Sequence, residues 1–376
     1  MKILLLADGM ESGGAETHIQ TLAQGLLAAG HTVGLASRGG KIADRLAGAG
    51  VDCFFLPPIG QNPAAFLLAR GKIARLTRKN GYEILHAHTR TSALLLRGIC
   101  NPYMQKTQKM PVKIVTAHAK FDPSGFKGRV SYWGQATIAV SEDLRAHLAD
   151  AFGLPAECVT VIPNGVDAAR FSPVGKIPNE IPEILFVSRL EPDCSLGAEL
   201  LCLAAANLAG KEGIPPFSVT VAGSGSRFAD LSGLAGKINF ALGKPLIRVV
   251  RPAAPDGILE LCRRADLFVG VSRAAMEAAF CGAAVLLCGN EGYGGFLTPD
   301  RLDLAAANFC CRGEEKPTLE HLSADLSRLL RHPEARQTAA AKTTAWLRRE
   351  FSAAGMCRAT EALYCRTLRR VAGEEI

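Results

Sequence analysis

Residues 4–31 read LLLADGMESGGAETHIQTLAQGLLAAGH, and this stretch decides the fold. A short apolar run of strand length leads through the adjacent glycines Gly13 and Gly14 into a segment with the apolar spacing of a helix. We predict that this helix ends at Gly30, since glycine readily adopts the left-handed conformation that closes a helix. The stretch therefore predicts a strand, a glycine-rich loop and a helix in direct succession.

The same alternation of apolar strands with helical segments continues through the first half of the chain. The other predicted strands span residues 32–37, 51–56, 83–88, 112–118, 136–141 and 159–163. Continuous apolar strands separated by helices indicate a parallel sheet that is covered on both faces. The first half is therefore predicted to form a doubly wound α/β domain.

A segment rich in proline, glycine and asparagine, IPNGVDAARFSPVGKIPNEIPEI, interrupts this alternation. We predict a linker between two domains at about residues 163–182. The strands then resume at residues 183–190, 217–225, 247–252, 265–272 and 283–290, and the chain is predicted to be helical after about residue 316. Because 376 residues are too many for one average domain, we predict two doubly wound domains with a cleft between them.

Composition narrows the class of protein. No run reaches the roughly 18 uninterrupted apolar residues of a membrane span, and the N-terminal ILLLA is too short for a secretion signal. The twelve cysteines are scattered without a C-x-x-C pair, which argues against a zinc ribbon and for buried thiols in a reducing compartment. We therefore expect a cytoplasmic protein.

The net charge of +8 suits an anionic partner. Aromatic residues make up only 6% of the chain, and no nucleic-acid-binding motif is evident, so we expect no nucleic acid. We therefore expect the anionic partner to be a phosphorylated substrate or an anionic membrane surface. Residues 65–82, AFLLARGKIARLTRKNGY, have five basic residues and apolar residues at helical spacing. Helices that rest on anionic lipid have this composition, and a solvated basic helix is the alternative.

Ligands of open α/β sheets bind beyond the carboxyl ends of strands, so polar residues just after the strands are the candidates. Gly13 and Gly14 can form a phosphate-binding loop at a helix N-terminus or a plain tight turn. His118 closely follows the strand VKIVT and can donate to a sugar hydroxyl or a phosphate oxygen, or it can be a satisfied structural histidine. We predict that His86 is structural, whereas His88 lies nearer the end of its strand.

Two further candidates come from the second half of the chain. Arg189 ends an apolar strand, and a guanidinium buried there needs an anion, either a phosphate or a structural carboxylate. Glu277 is the one carboxylate in a helix that is predicted to start near Ser272 and is rich in small and apolar residues. A buried carboxylate there suits a ribose diol, while Ser272, Arg273 and the first N–H groups of the helix would face a diphosphate. An exposed surface glutamate is the alternative.

Seven segments follow one another over nearly the whole chain: GGAETH, TAHAKFD, IAVSEDLRAHL, VIPNGVD, VSRL, AGSG and MEAAFCGAAVL. Together they resemble the retaining glycosyltransferases of family 4. The resemblance implies the α/β GT-B fold, in which two doubly wound Rossmann-like domains face a central cleft. It implies an N-terminal acceptor domain at residues 1–170 and a C-terminal nucleotide-sugar-binding domain at residues 181–352. A last helix at about residues 354–376 would cross back onto the first domain.

The resemblance also implies roles for individual residues. Arg189 would hold the donor diphosphate, Glu277 would hold the ribose, and His118 would lie near the transferred sugar as the third catalytic residue. The other residues implied in binding the nucleotide-sugar are Gly13, Gly14, Gly223, Gly225, Ser272, Arg273 and Glu291. No metal and no further cofactor are expected, since the sequence shows no metal-ligand cluster, and Arg189 with backbone N–H groups can stabilise the departing diphosphate.

Two positions depart from the family pattern. Cys194 stands where the family has a lysine five residues after the diphosphate-binding arginine, and we expect Arg273 to supply the missing charge. Val269 stands where the family has a glutamate eight positions before Glu277, and Glu291 is the candidate replacement.

The resemblance to family 4 also implies an expected activity. The chain would be a hexosyltransferase that moves a hexose or N-acetylhexosamine from a nucleotide-sugar, first of all a UDP-sugar, to a glycan or lipid-linked acceptor with retention. Its role would be cell envelope glycan synthesis, in the cytoplasm or at the inner face of the membrane. The alternatives are an inverting GT-B enzyme and a catalytically silent subunit that binds a nucleotide-sugar.

Overall fold

The computed structural model describes the chain except residues 12, 59–61, 100–109, 175, 177–178, 253–255 and 375–376, and it does not describe the side chains of residues 126, 127 and 302. The chain divides into two compact units. The first comprises Met1–Gly165 and Ala353–Ile376, and the second comprises Val166–Ser352. Residues 166–170, which the sequence analysis assigned to the N-terminal domain, thus belong to the second unit.

The first unit is built on a seven-stranded sheet. Its strands are β1 (Lys2–Leu6), β2 (Thr32–Ser37), β3 (Asp52–Phe55), β4 (Ile84–Ala87), β5 (Val112–Ala117), β6 (Ala136–Ala139) and β7 (Val159–Val161). The helices between them are α1 (Gly14–Ala28), α2 (Lys41–Gly48), α3 (Pro63–Asn80), α4 (Arg90–Arg97), α5 (Gly125–Arg129) and α6 (Glu142–Phe152), and a 3₁₀ turn spans Ala156–Cys158.

All strand pairs of this sheet are parallel, in the order β3-β2-β1-β4-β5-β6-β7. The direction of winding therefore reverses between β1 and β4, which is where doubly wound sheets bind their ligands. Residues 3–6 of β1 are fully buried because the sheet is covered on both faces. α1 ends at Ala28 and Gly30 has a φ of +82°, which confirms the predicted end of this helix.

The second unit repeats this plan with a six-stranded sheet. Its strands are β8 (Glu183–Val187), β9 (Ser218–Ala222), β10 (Ile247–Val250), β11 (Leu267–Gly270), β12 (Ala284–Gly289) and β13 (Gly292–Phe296). Its helices are α7 (Leu196–Leu208), α8 (Phe228–Leu242), α9 (Gly257–Arg264), α10 (Ser272–Phe280), α11 (Leu319–Arg331) and α12 (Pro333–Glu350), and a 3₁₀ turn spans Leu302–Ala307.

The strand order of this sheet is β10-β9-β8-β11-β12-β13, so the winding reverses between β8 and β11. β13 is antiparallel to β12, and the sequence analysis missed it. The sequence of β13, GYGGF, contains three glycines, which have low strand propensity. Cys311 packs directly on Gly292 and Gly294 and leaves no room for a side chain at either position. The glycines that hide this strand in the sequence are thus required by its packing.

The final helix, α13 (Ala353–Ala372), belongs to the first unit and packs on α1. Cys357 of α13 lies against Gly25 of α1, and Tyr364 is fully buried in the core of this unit. Gly165 lies against the backbone of Ala353 with no space for a Cβ atom, which explains the glycine of the VIPNGVD segment. Among the described residues, no helix is long and apolar enough to cross a membrane.

Candidate functional site

The first unit brings polar residues together where its sheet changes its direction of winding. The backbone N–H of His88, just after β4, donates to the carbonyl of Leu6 in β1 at 2.9 Å. The next residue, Thr89, donates its hydroxyl to Asp8 Oδ1 at 2.8 Å and also caps α4. The loops after β1 and β4 are therefore joined, and His88 has a fixed position at the carboxyl edge of the sheet.

Four histidines from three strands or loops and one helix meet at this edge, and we call them the histidine cluster: His18, His86, His88 and His118. Nδ1 of His88 lies 3.2 Å from Nε2 of His118, within hydrogen-bond distance. The ring centroids of His18 and His118 are 4.7 Å apart, and those of His86 and His88 are 4.1 Å apart. The cluster thus contains the candidate catalytic residue His118 together with three further imidazoles.

Hydrogen bonds to other parts of the first unit orient the cluster. Nδ1 of His18 donates to Asn164 Oδ1 at 2.9 Å, which explains the asparagine of VIPNGVD. His86 is bonded at both nitrogens, to the Tyr364 hydroxyl at 2.6 Å and to Thr116 Oγ1 at 2.7 Å. The structure therefore places His86 in a structural role, with α13 supplying one of its partners.

Burial keeps the imidazoles of His86 and His88 neutral. Burial, and secondarily His18, lowers the pKa of His86 to about 3. Burial, followed by the neighbouring His86, His118 and His18, lowers the pKa of His88 well below its ordinary value. Within the described part of the chain, Nε2 of His88 is buried without a hydrogen-bond partner. At neutral pH His86 and His88 are therefore uncharged imidazoles rather than cations.

Neutral ring nitrogens can also be metal ligands. His18, His88 and His118 each present one nitrogen, and these atoms all lie within 4.8 Å of one another. Imidazole suits zinc, copper and nickel. The sequence analysis found no metal-ligand cluster, because these residues lie far apart in the chain and only the fold brings them together.

The two glycines of the opening stretch begin α1. Gly13 has a φ of +151° and precedes the helix, and the carboxylate of Glu16 folds over it. Gly14 is the first helical residue, and no neighbour lies within 4 Å of the position of a Cβ atom there. The flexible Glu16 side chain therefore occupies the position beside Gly13, while the space beside Gly14 is open.

In the second unit, Arg189 lies in the loop between β8 and α7, at the other change of winding. Its side chain is 67% exposed and its Nη2 lies 3.4 Å from Asp193 Oδ2. The sequence analysis expected a buried guanidinium that needs an anion, and this expectation was wrong because β8 ends at Val187. Cys194, at the position of the family lysine, donates its Sγ–H to the carbonyl of Arg189 at 3.0 Å. Arg189 is thus an exposed cation beside the sheet edge.

The glycines after β9 have a packing role. A Cβ atom on Gly223 would meet the carbonyl of Ser188, and one on Gly225 would meet the carbonyl of Leu190. Gly225 also has a φ of +156°, which only glycine adopts readily. These glycines let the loop after β9 lie against the loop after β8, and the geometry assigns them no ligand.

Glu277 is buried, as the small residues around it predicted, but it is not a lone carboxylate. Nε of Arg273 donates to Glu277 Oε1 at 2.8 Å, and both side chains are only 11% exposed. The two residues lie one helical turn apart in α10. Arg273, expected to face a diphosphate, instead forms a buried ion pair with the residue expected to hold the ribose.

The backbone at the start of α10 is strained. Among the described residues, the non-glycine residues with positive φ are Ser272, Asn308, Phe309 and Cys311, at 55° to 59°. These conformations are rare for residues other than glycine. The backbone N–H of Ser272 donates to the carbonyl of Phe309 at 2.8 Å, so the strained positions are in contact. Strain of this kind is concentrated at functional sites, and residues 308–311 are a part of the candidate site that the sequence analysis missed.

Glu291 occupies the tight turn between β12 and β13. It is 55% exposed, and its Oε2 lies 3.4 Å from Nη1 of Arg312. The structure therefore gives this carboxylate a surface ion pair and leaves its expected role at the donor sugar a prediction.

Comparisons with known proteins now bear on this geometry. Residues 12–170 match the family model described as Glycosyltransferase Family 4. This part of the chain is therefore similar to the glycosyltransferases of that family. The matched residues contain the whole histidine cluster, Asn164 and the glycines that begin α1. No curated protein sequence matches the chain.

Solved structures of other proteins share the fold of this chain. A glycosyltransferase from Rickettsia africae is 18% identical with a TM-score of 0.76, and 98% of each chain is covered. HepE of Anabaena in complex with UDP is 18% identical with a TM-score of 0.73, over 97% of this chain and all of HepE. Sucrose-phosphate synthase of Thermosynechococcus elongatus is 16% identical with a TM-score of 0.71, over 98% and 99% of the two chains. The fold is thus GT-B, and the family match together with the fold indicates a transferase enzyme.

Proposed function

We propose that this glycosyltransferase moves a hexose or N-acetylhexosamine from a UDP-sugar to a glycan or lipid-linked acceptor, with retention. The observation that carries the proposal is the histidine cluster, in which His118 stands at the carboxyl edge of the sheet that matches family 4. An imidazole there can form a hydrogen bond with a sugar hydroxyl. UDP as the nucleotide is supported by HepE, whose structures contain UDP and UDP-glucose.

The second unit supplies the groups for the donor. Arg189 is exposed and can leave Asp193 for a diphosphate, with which a guanidinium forms two parallel hydrogen bonds. Breakage of the sugar–phosphate bond places negative charge on the diphosphate, and Arg189 with the first N–H groups of α10 would stabilise it. The buried partner Arg273 fixes the carboxylate of Glu277, which would accept hydrogen bonds from the ribose. This scheme needs no metal for the transfer step.

Because the lysine and the glutamate of the family pattern are missing, we consider two alternative functions, an inverting enzyme and a silent binding subunit. Cys194 and Val269 remove one cation and one carboxylate from the family pattern. An inverting enzyme would need a protein base for the acceptor hydroxyl, and His118 is the candidate. A silent nucleotide-sugar-binding subunit would use Arg189 and Glu277 without turnover. Envelope glycan synthesis, in the cytoplasm or at the inner membrane face, is the setting that suits a lipid-linked acceptor.

Thermal shift and product analysis test the proposal. UDP and UDP-sugars should raise the melting temperature more than GDP-sugars, because a ligand that binds only the folded state stabilises it. Slow release of UDP without acceptor would separate an enzyme from a silent binder, and His118→Ala should abolish that release while His332→Ala does not. The anomeric NMR signal of the product decides between retention and inversion. Stabilisation by GDP-sugars alone, or none by any nucleotide, would refute the proposed donor.

A further inference from the structure

Helix α3 of the first unit is firmly built and has one face in the core. Asn62 caps its start by accepting from the N–H of Ala64 at 3.0 Å, and Gly81 closes its end in the left-handed conformation. Ala69 and Ile73 are fully buried in the core of the unit. The orientation of α3 is thus set by its packing, and its opposite face is exposed to solvent.

The first half of that opposite face exposes large apolar side chains. Leu67 is 63% exposed and Leu68 is 69% exposed. Phe55, at the end of β3, is 60% exposed, and its carbonyl accepts from Nζ of Lys72 at 2.6 Å, which places β3 beside α3. Three exposed apolar side chains on neighbouring elements form a patch of the kind that marks an interaction surface.

The second half of the same face is cationic. Lys72, Arg75, Arg78 and Lys79 are all exposed, and α3 contains no acidic residue. A groove on this face is lined by the two leucines together with Lys72, Arg75 and Lys79. At 100° per residue, positions 67, 71, 75 and 78 lie within one narrow stripe, with 68, 72 and 79 beside it. Apolar and basic side chains therefore share one continuous face, which we call the α3 surface.

We propose that the α3 surface binds an anionic lipid membrane. Leu67, Leu68 and Phe55 would enter the boundary between headgroups and acyl chains, while the four cations contact lipid phosphates. A second copy of this chain would bring like charges together, so it does not suit the surface. The proposal concerns attachment alone and does not depend on which sugar or acceptor the enzyme uses.

Vesicle flotation of the full chain tests the proposal. The protein should float with phosphatidylcholine vesicles that contain about one third phosphatidylglycerol, and not with phosphatidylcholine alone. Added salt should weaken the interaction because it screens the cations. Each basic residue near an anionic surface contributes about fivefold in affinity, so Lys72→Glu with Arg75→Glu should lower the bound fraction more than tenfold.

Two further variants separate this surface from general attraction. Leu67→Ser with Leu68→Ser keeps every charge and should also abolish flotation. Arg366→Glu with Arg369→Glu makes the same charge change on exposed positions of α13 and should leave flotation almost unchanged. Equal losses in both charge variants, or full binding by the serine variant, would overturn the proposal. Melting temperatures equal to that of the wild type confirm that each variant folds.

The probe Leu68→Trp identifies the occupant. Its fluorescence should shift to shorter wavelength on anionic vesicles and stay unchanged with poly-glutamate. A shift with poly-glutamate and none with vesicles would assign the surface to an acidic protein partner and refute the membrane. UDP release without acceptor should be the same in the serine variant and the wild type, so a failure of the proposed activity is measured separately.

Discussion

The carboxyl edges of the two sheets use polar groups in opposite ways. In the first unit, His86 and His88 are buried, and Tyr364 and Thr116 orient His86 through hydrogen bonds at both of its ring nitrogens. In the second unit, Arg189 is solvated, and strained backbone at Ser272 lies beside it in the sheet order. The first edge therefore has its geometry fixed before any ligand binds, whereas the second presents a cation that a ligand can recruit. The first unit thus supplies side chains in fixed positions, and the second unit supplies an exposed positive charge.

The largest effect should come from breaking the buried pair of Arg273 and Glu277. Glu277→Ala leaves a guanidinium buried without its carboxylate, and removal of one member of such a pair costs about 3–5 kcal/mol. Arg273→Met with Glu277→Met removes both charges and should recover most of this loss. Chemical denaturation measures the free energy of unfolding of all three proteins. A double variant as unstable as Glu277→Ala would show that the pair is not the cause.

The same double variant also tests whether Glu277 binds a ligand in addition to stabilising the fold. If Glu277 also holds a ribose, the double variant should fold and yet bind UDP about tenfold more weakly or worse, because a hydrogen bond to a charged group is lost. Isothermal titration with UDP measures this affinity. Binding equal to that of the wild type would leave the pair with a structural role alone.

Acidification should weaken the first edge. The folded state holds the pKa of His86 at about 3 and that of His88 well below its ordinary value. Below about pH 6.5 the unfolded chain binds more protons than the folded chain, so stability is lost as the pH falls. Because His86 and His88 take up protons only in the unfolded chain, the free energy of unfolding should fall by about 2–3 kcal/mol for each pH unit below that point.

Denaturation at several pH values measures this slope. His86→Gln should reduce it by about one proton, whereas His332→Gln, a change at an exposed histidine, should not. Equal slopes for the wild type and His86→Gln would mean that His86 is protonated in the folded protein. The control is needed because carboxylates elsewhere also titrate in acid.

Gly225→Ala should have a smaller effect, in the second unit. A methyl group there would meet the carbonyl of Leu190, and the φ of +156° disfavours alanine. We expect a loss of about 1–3 kcal/mol from overpacking and backbone strain. Gly233→Ala in α8, where no atom lies within 4 Å, is the matched control and should stabilise the protein. Unchanged stability of Gly225→Ala would show that the two loops can separate at no cost.

Sequence pattern sufficed for most of the architecture because buried parallel strands are continuous apolar runs. In the part of the chain that the structure describes, twelve of the thirteen strands overlap the predicted ranges. β13 was missed because its glycines are required by the packing of Cys311 and have low strand propensity. The burial of Glu277 was readable from its small neighbours. Its partner was readable too, since Arg273 lies four residues earlier in the same helix.

The rest of the candidate site depends on long-range contacts that a local pattern does not contain. His18 meets Asn164, and His86 meets Tyr364 across 278 positions of the chain. Arg189 was expected to be buried because the predicted strand, residues 183–190, extends three residues beyond the end of β8. Ser272 and residues 308–311 give no strong local signal, because only asparagine among them commonly tolerates a positive φ.

The smallest effect on stability, Gly14→Ala, gives the most direct test of the opening stretch. No atom lies within 4 Å of a Cβ atom at this first position of α1, so alanine should raise stability by about 0.5–1 kcal/mol. Gly48→Ala at the end of α2 has the same open surroundings and should give a similar gain with no change in sugar transfer. If Gly14 leaves space for the substrates, only Gly14→Ala should slow transfer, measured as kcat and KM. Two stable variants with wild-type kinetics would reduce the glycine pair to a tight turn, and the recognition of substrates in this unit would then fall to the histidine cluster.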